Sequence, residues 1–200
     1  MNGPVVLPRS IEETLAALQK TPEATILAGG TDLMVAVNAG THRPESVVSL
    51  AQVTELRDWH RDGDDVVVGA CVTYTEMEHG ELAALVPALC QAARTVGSPQ
   101  IRNAATIGGN LGTASPAGDT LPVLAALDAV IEIRGPSGTR SVPPARIVAP
   151  GVSWRAATVS SSDRGSATGP LGLPMRRQST LRGGRCHGDH HHRRSPLCPK

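Results

Sequence analysis

The stretch Thr25-Ile26-Leu27-Ala28-Gly29-Gly30-Thr31-Asp32-Leu33 decides how this chain is read. Thr25 to Leu27 is a short apolar run with β-branched residues, which suits a buried strand. Gly29-Gly30 lets the backbone turn sharply. Leu33 to Val37 reads as the start of a helix, with Thr31 or Asp32 as its cap. A helix that begins behind a glycine turn offers free N–H groups and a favourable dipole to a phosphate. About seventy-five residues further on, Thr106-Ile107-Gly108-Gly109-Asn110 repeats the theme and runs into Leu111-Gly112-Thr113-Ala114-Ser115-Pro116-Ala117-Gly118-Asp119. Neither stretch is G-x-G-x-x-G, and neither ends in the G-K-[ST] of a P-loop.

Around these stretches the chain alternates irregularly between helical and extended patterns. Ser10-Ile11-Glu12-Glu13 has the form of a capping box, and Ile11, Leu15 and Leu18 continue as a helical stripe until Thr21-Pro22. Val47 to Leu50 reads as a strand that completes a small βα unit. Leu56 to Arg61 and Val66 to Ala70 read as paired strands turning at Asp62-Gly63-Asp64-Asp65. Thr73 to Glu76 forms another capping box, and Leu85 to Val96 a longer helix ended by Gly97 and Pro99. Leu121 to Leu127 is a short helix with Pro122 tolerated in its first turn. Ala129 to Arg134 and Thr139 to Val142 form a hairpin about Gly135-Pro136-Ser137-Gly138. The fold class is α+β in two lobes, about 1–52 and about 53–148.

The two glycine stretches resemble the FAD-binding loops of the flavoprotein (medium) subunit of molybdenum hydroxylases, the xanthine dehydrogenase and carbon monoxide dehydrogenase group. Gly97-Ser98-Pro99-Gln100-Ile101-Arg102-Asn103 and Ala114 to Asp119 resemble that family too, and the match runs from about residue 8 to about residue 145. The resemblance implies a two-lobed FAD-binding domain of the molybdopterin dehydrogenase flavoprotein type, with FAD between the lobes. It places Ala28, Gly29, Gly30, Thr31, Asp32 and Leu33 in one half of a pyrophosphate cradle. Thr106, Ile107, Gly108, Gly109 and Asn110 form the other half. Gly29, Gly30, Gly109 and Asn110 approach the phosphates, while Thr31, Asp32 and Thr106 add side-chain contacts or cap a helix. Thr113 and Asp119 correspond to positions that bond FAD further along its length; Asp119 could equally cap the helix that follows it. No catalytic residue is implied, because the redox chemistry belongs to the cofactor. The family's partners are a large subunit with a molybdenum cofactor and a small subunit with 2Fe-2S clusters. Electrons pass from them to FAD and on to NAD or another acceptor. Two alternatives stand beside this reading: a truncated, non-catalytic remnant, or another flavoprotein of the same superfamily, such as a sugar-nucleotide reductase or a lactone oxidase.

Composition narrows the classes. Apolar residues make up 40% of the 200, with no Phe and only Trp59, Tyr74 and Trp154 as aromatics, so the core must be aliphatic. No apolar run approaches the ~20 residues that span a bilayer. The four cysteines form no C-x-x-C, and free thiols fit a cytoplasmic protein. Residues 1–150 hold 10 Lys+Arg against 16 Asp+Glu, whereas residues 151–200 hold 9 against 2. The basic end has no aromatic interleaving and no amphipathic period, so nucleic acid is not an expected partner. His187, His190, His191 and His192 fit adventitious rather than designed metal binding. From residue 149 to residue 200 the hydrophobic period is lost. The composition predicts a disordered tail, and the abrupt change fits translation in a shifted reading frame.

Overall fold

Ser10 starts the first helix by accepting a hydrogen bond from the N–H of Glu13, while the Glu13 carboxylate reaches back to the N–H of Arg9 at 2.8 Å. The structure, a computed structural model, describes residues 3–115, 118–135 and 138–144, together with the backbone of 157–161. Helix α1, Ile11–Lys20, buries Ile11, Thr14 and Leu18. Thr14 can occupy that face because its hydroxyl bonds the Ser10 carbonyl at 2.8 Å. Strands β1 (Val5–Val6), β2 (Thr25–Leu27) and β3 (Val47–Ser49) form a parallel sheet in the order β1-β3-β2. Helix α2, Thr31–Asn38, connects β2 to β3. The sequence reading contained β2 and β3 but not β1, a two-residue strand defined only by its partner.

Two short 3₁₀ turns, Leu50–Gln52 and Thr54–Leu56, lead into the second lobe and bury Leu50, Val53 and Leu56. The strand expected from Leu56 therefore starts later, as β4, Trp59–Asp62, paired antiparallel with β5, Asp65–Gly69. The Thr73 capping box is present and starts α3, Tyr74–Glu78. The helix expected over residues 85–96 is α5, Pro87–Thr95, and a further short helix, α4, Gly80–Leu85, precedes it. Pro87 lacks the N–H that a continuous helix needs, so it opens a new one instead. Helices α6 (Pro99–Ala104), α7 (Ile107–Thr113) and α8 (Thr120–Ala126) follow, then strands β6 (Ala129–Gly135) and β7 (Gly138–Val142).

A further strand, β8, Ala157–Ser161, lies beyond residue 148. It pairs antiparallel with both β5 and β6, giving a five-stranded sheet in the order β4-β5-β8-β6-β7. Five residues carry little intrinsic pattern. The two strand edges of β5 and β6 supply the ladder that local composition does not advertise. Residues 162–200, with the tail histidines and the expectation of a shifted frame, lie outside the described residues.

The core is aliphatic with one aromatic: Tyr74, Met77, Leu82, Ile107, Leu111, Leu124, Ile131 and Ile133 form its main cluster. A smaller cluster of Ile11, Leu50, Val53, Leu56, Ala70 and Cys71 joins the two lobes.

Candidate functional site: a glycine-lined cavity between the lobes

The first glycine stretch is shaped by two different demands. Gly30 has φ +76°, a left-handed conformation that favours glycine, and it caps α2 in place of Thr31 or Asp32, which are the first helical residues. No side chain caps this helix, so its first-turn N–H groups remain available. Gly29 answers to close packing: a Cβ there would collide with the carbonyl of Ala104, at the end of α6.

The second stretch is a helix rather than a loop, and its N–H groups are already committed. Ile107 N donates to Val72 O at 3.1 Å, Gly108 N to Ala70 O at 2.8 Å, and Gly109 N to the Thr106 hydroxyl at 3.0 Å. Thr106 is therefore the cap of α7. Gly108 lets α7 approach the backbone of residue 70, since a Cβ would lie 2.6 Å from both Ala70 Cβ and Ala70 O. Gly109 and Gly112 are open: a Cβ at Gly109 meets only the Thr106 hydroxyl at 3.0 Å, and one at Gly112 meets nothing within 4 Å. These glycines line a cavity of about 1000 Å³, at the upper end of the range for small-molecule sites.

Ala28, Gly29, Gly30, Thr31, Asp32 and Leu33 line this cavity from one lobe, and Thr106, Gly108, Gly109, Asn110 and Thr113 from the other. The Thr113 hydroxyl reaches Asp32 Oδ2 at 2.9 Å across 81 residues of sequence, which ties α2 to α7. Two expected residues are not at the cavity. Ile107 is wholly buried in the core, so its side chain is structural. Asp119 is exposed, lies outside the cavity lining, and makes no side-chain cap to α8. The sequence reading missed Gly112, Tyr74 and His42, which the cavity lining includes. Gly112 could have been found from its spacing, one turn beyond Gly108 and Gly109.

Tyr74 bears on what the cavity can hold. It is 1% exposed, and its hydroxyl has no hydrogen-bond partner among the described residues. A buried donor without a partner is costly unless a ligand or water supplies one. Burial pushes the phenol up to about 12; the nearby Thr120 hydroxyl, which lies outside hydrogen-bond geometry, lowers it in part, and the Asp119 and Asp32 charges raise it. Burial also pushes the Cys71 thiol up to about 11, against the charge of Arg57. A folded-state pKa above the unfolded value gives stability that is full below the unfolded pKa and is lost as pH rises. Folding stability should therefore fall from about pH 9 to pH 11 as Cys71 ionises in the unfolded chain, and from about pH 10 to pH 12 for Tyr74. Each contributes on the order of 3 kcal/mol at most. Chemical denaturation at pH 8 and pH 11 checks this: Cys71→Ala and Tyr74→Phe should each flatten the decline, and an unchanged slope in both would refute the assignment.

The cradle thus offers an uncapped helix start, a glycine surface without side chains and an unpartnered buried hydroxyl, which fit a long polar ligand with a phosphate segment. Among the described residues no group of three His, Cys, Asp or Glu could hold a metal ion, and no helix is long and apolar enough to cross a membrane.

Comparison with known proteins agrees with this geometry. Residues 1–149 match the family described as the FAD binding domain in molybdopterin dehydrogenase. The nicotinate dehydrogenase FAD-subunit of Eubacterium barkeri is 38% identical over 138 residues, 68% of this chain and 47% of that protein. The carbon monoxide dehydrogenase medium chain of Hydrogenophaga pseudoflava is 33% identical over 138 residues, 68% of this chain and 48% of that protein. The chain spans about half the length of these relatives. Among solved structures, quinoline 2-oxidoreductase from Pseudomonas putida 86 aligns with a TM-score of 0.75 at 26% identity, covering 80% of this chain and 59% of that one. With the family model matching residues 1–149 and the two glycine stretches facing one cavity, the chain belongs to the family of FAD-binding domains found in molybdopterin dehydrogenases.

Proposed function

We propose that this chain holds FAD as the flavoprotein part of a molybdenum hydroxylase, an oxidoreductase of the xanthine dehydrogenase type. The observation that carries the proposal is the convergence of the α2 start and the Gly109–Gly112 face of α7 on one cavity, tied by the Thr113–Asp32 bond. Ala28 to Leu33 would hold the pyrophosphate with the free N–H groups of α2. Gly109 and Gly112 would let it pass close to α7, with Asn110 and Thr113 beside it. Bound there, FAD would supply a two-electron carrier between a partner iron–sulfur subunit and NAD or another acceptor. The partners are a large subunit with a molybdenum cofactor and a small iron–sulfur subunit, as names such as FAD-subunit and medium chain among the relatives suggest. The two buried free thiols, Cys71 and Cys90, suit a reducing cytoplasm.

The test is direct. Protein purified without added flavin, or reconstituted with FAD, should show a flavin absorbance spectrum. Acid precipitation should release the colour to the supernatant, because no His or Cys lies in either glycine stretch to form a covalent link. A protein that takes up no FAD at high micromolar concentration would overturn the proposal, and a pellet that stays yellow would overturn the non-covalent mode of binding.

A further inference from the structure

The Asn110 side chain can turn either end toward the cavity. Its amide has a carbonyl end that only accepts hydrogen bonds and an NH₂ end that only donates. The two ends have opposite consequences for an anion. A carbonyl facing the cavity repels a phosphate, whereas an NH₂ group offers it two donors. The choice matters because the N–H groups of Ile107, Gly108 and Gly109 already donate to protein acceptors. The Asn110 amide is then the neutral donor that α7 can still aim at a phosphate.

Two features behind the cavity hold that amide. Thr120, the first residue of α8, is 0% exposed, and its hydroxyl donates to Asn110 Oδ1 at 2.6 Å. Gly118 lies against the same side chain: a Cβ there would come 3.0 Å from Asn110 Oδ1 and 3.1 Å from Nδ2. Gly118 has no positive φ, so its backbone makes no demand for glycine and the neighbouring amide does. We infer that Thr120 is a positioning residue: its buried hydroxyl, with Gly118 as the floor, locks the Asn110 carbonyl inward and turns the NH₂ group toward the anionic part of the ligand. Thr120 touches no ligand itself and acts through Asn110.

The inference rests on the cavity being an FAD phosphate site, and the experiment separates the two. FAD and ADP, which carries the pyrophosphate without the flavin ring, are titrated into flavin-free protein. Thr120→Val keeps the volume and loses the hydroxyl, and should weaken both ligands about tenfold, the worth of one well-placed hydrogen bond to a charged group. Thr120→Ser keeps the hydroxyl and should restore binding to within about twofold. In an Asn110→Ala background, Thr120→Val should have no further effect. Equal losses from Thr120→Val with and without Asn110, or no rescue by Ser, would overturn the inference, since Thr120 would then act by packing alone. The side-chain amide NMR signals of Asn110 in flavin-free protein supply the independent reading. They should be shifted and sharp in the parent and in Thr120→Ser, and should revert to free-amide values in Thr120→Val. Failure of FAD and ADP to bind the parent protein would sink the phosphate-site reading. A locked amide would still uphold the Thr120–Asn110 coupling, and an amide unaffected by Thr120→Val would remove that too.

Discussion

Gly112→Val should weaken flavin binding by up to about a hundredfold while leaving the protein folded. A Cβ at position 112 meets nothing within 4 Å, so the flavin-free protein has room for the branched side chain. The site lies in α7, where glycine is about 1 kcal/mol worse than alanine, so valine should leave stability unchanged or raise it by a few tenths. Gly112 lines the cavity, so a ligand held there as proposed would meet the added side chain. Overpacking of a well-fitted contact costs ~1–3 kcal/mol, and ~3 kcal/mol is about a hundredfold in affinity. Gly108→Val, four residues earlier, is the contrasting case. Its Cβ would lie 2.6 Å from Ala70 Cβ and Ala70 O, at a residue that is 3% exposed. There α7 must move away from residue 70, and a loss of about 3 kcal/mol or more of folding stability is expected. Thermal unfolding with and without FAD distinguishes the two. A Gly112→Val protein that binds flavin as tightly as the parent would remove the α7 face from the site.

This contrast also shows how far the sequence can be read. Both glycine pairs were visible as turns, and each member of a pair has a different duty that sequence alone does not assign. Gly29 and Gly108 make room for neighbouring backbone, Gly30 supplies a positive φ, and Gly109 leaves the cavity open. The stretch after Thr106 reads as a loop because glycine is a poor helix former. It is helical because tertiary packing against residues 70–72 rewards the close approach that only glycine permits. The Ser10 cap, the Thr73 capping box and the hairpins were legible, since their determinants lie within a few residues. Strands β1 and β8 were not, because their hydrogen-bond partners lie about forty and at least twenty-four residues away in sequence. The site was read from its backbone-shaping residues. Tyr74 and Thr120 were missed because a buried Tyr or Thr has no sequence signature that separates packing from support of a site.

A partly buried ion pair between Glu78 and Arg102 couples the site to the fold. Their side chains are 11% and 16% exposed, and the Arg102 guanidinium also donates to Val96 O at 3.1 Å and Gly97 O at 3.2 Å. Arg102 thus fixes the turn from α5 into α6, and α6 ends at Ala104, whose carbonyl lies against Gly29. Loosening α6 therefore releases the support under the first glycine stretch and the lead into the second. Arg102→Met leaves a nearly buried carboxylate without its cation and two carbonyls without donors. Removing one partner of such a pair costs ~3–5 kcal/mol, a large part of the ~5–15 kcal/mol that holds a domain together. Urea unfolding should show the midpoint of Arg102→Met far below that of the parent. Adding Glu78→Leu to that variant should recover part of the loss, because the stranded charge is then gone and two apolar side chains can pack in its place. Thr75 and Asn103, whose 2.7 Å bond also joins α3 to α6, remain in place in both variants and keep the helices in register. If the double variant is no more stable than Arg102→Met alone, the guanidinium serves its two carbonyls rather than Glu78, and the turn at Val96-Gly97 is what it protects.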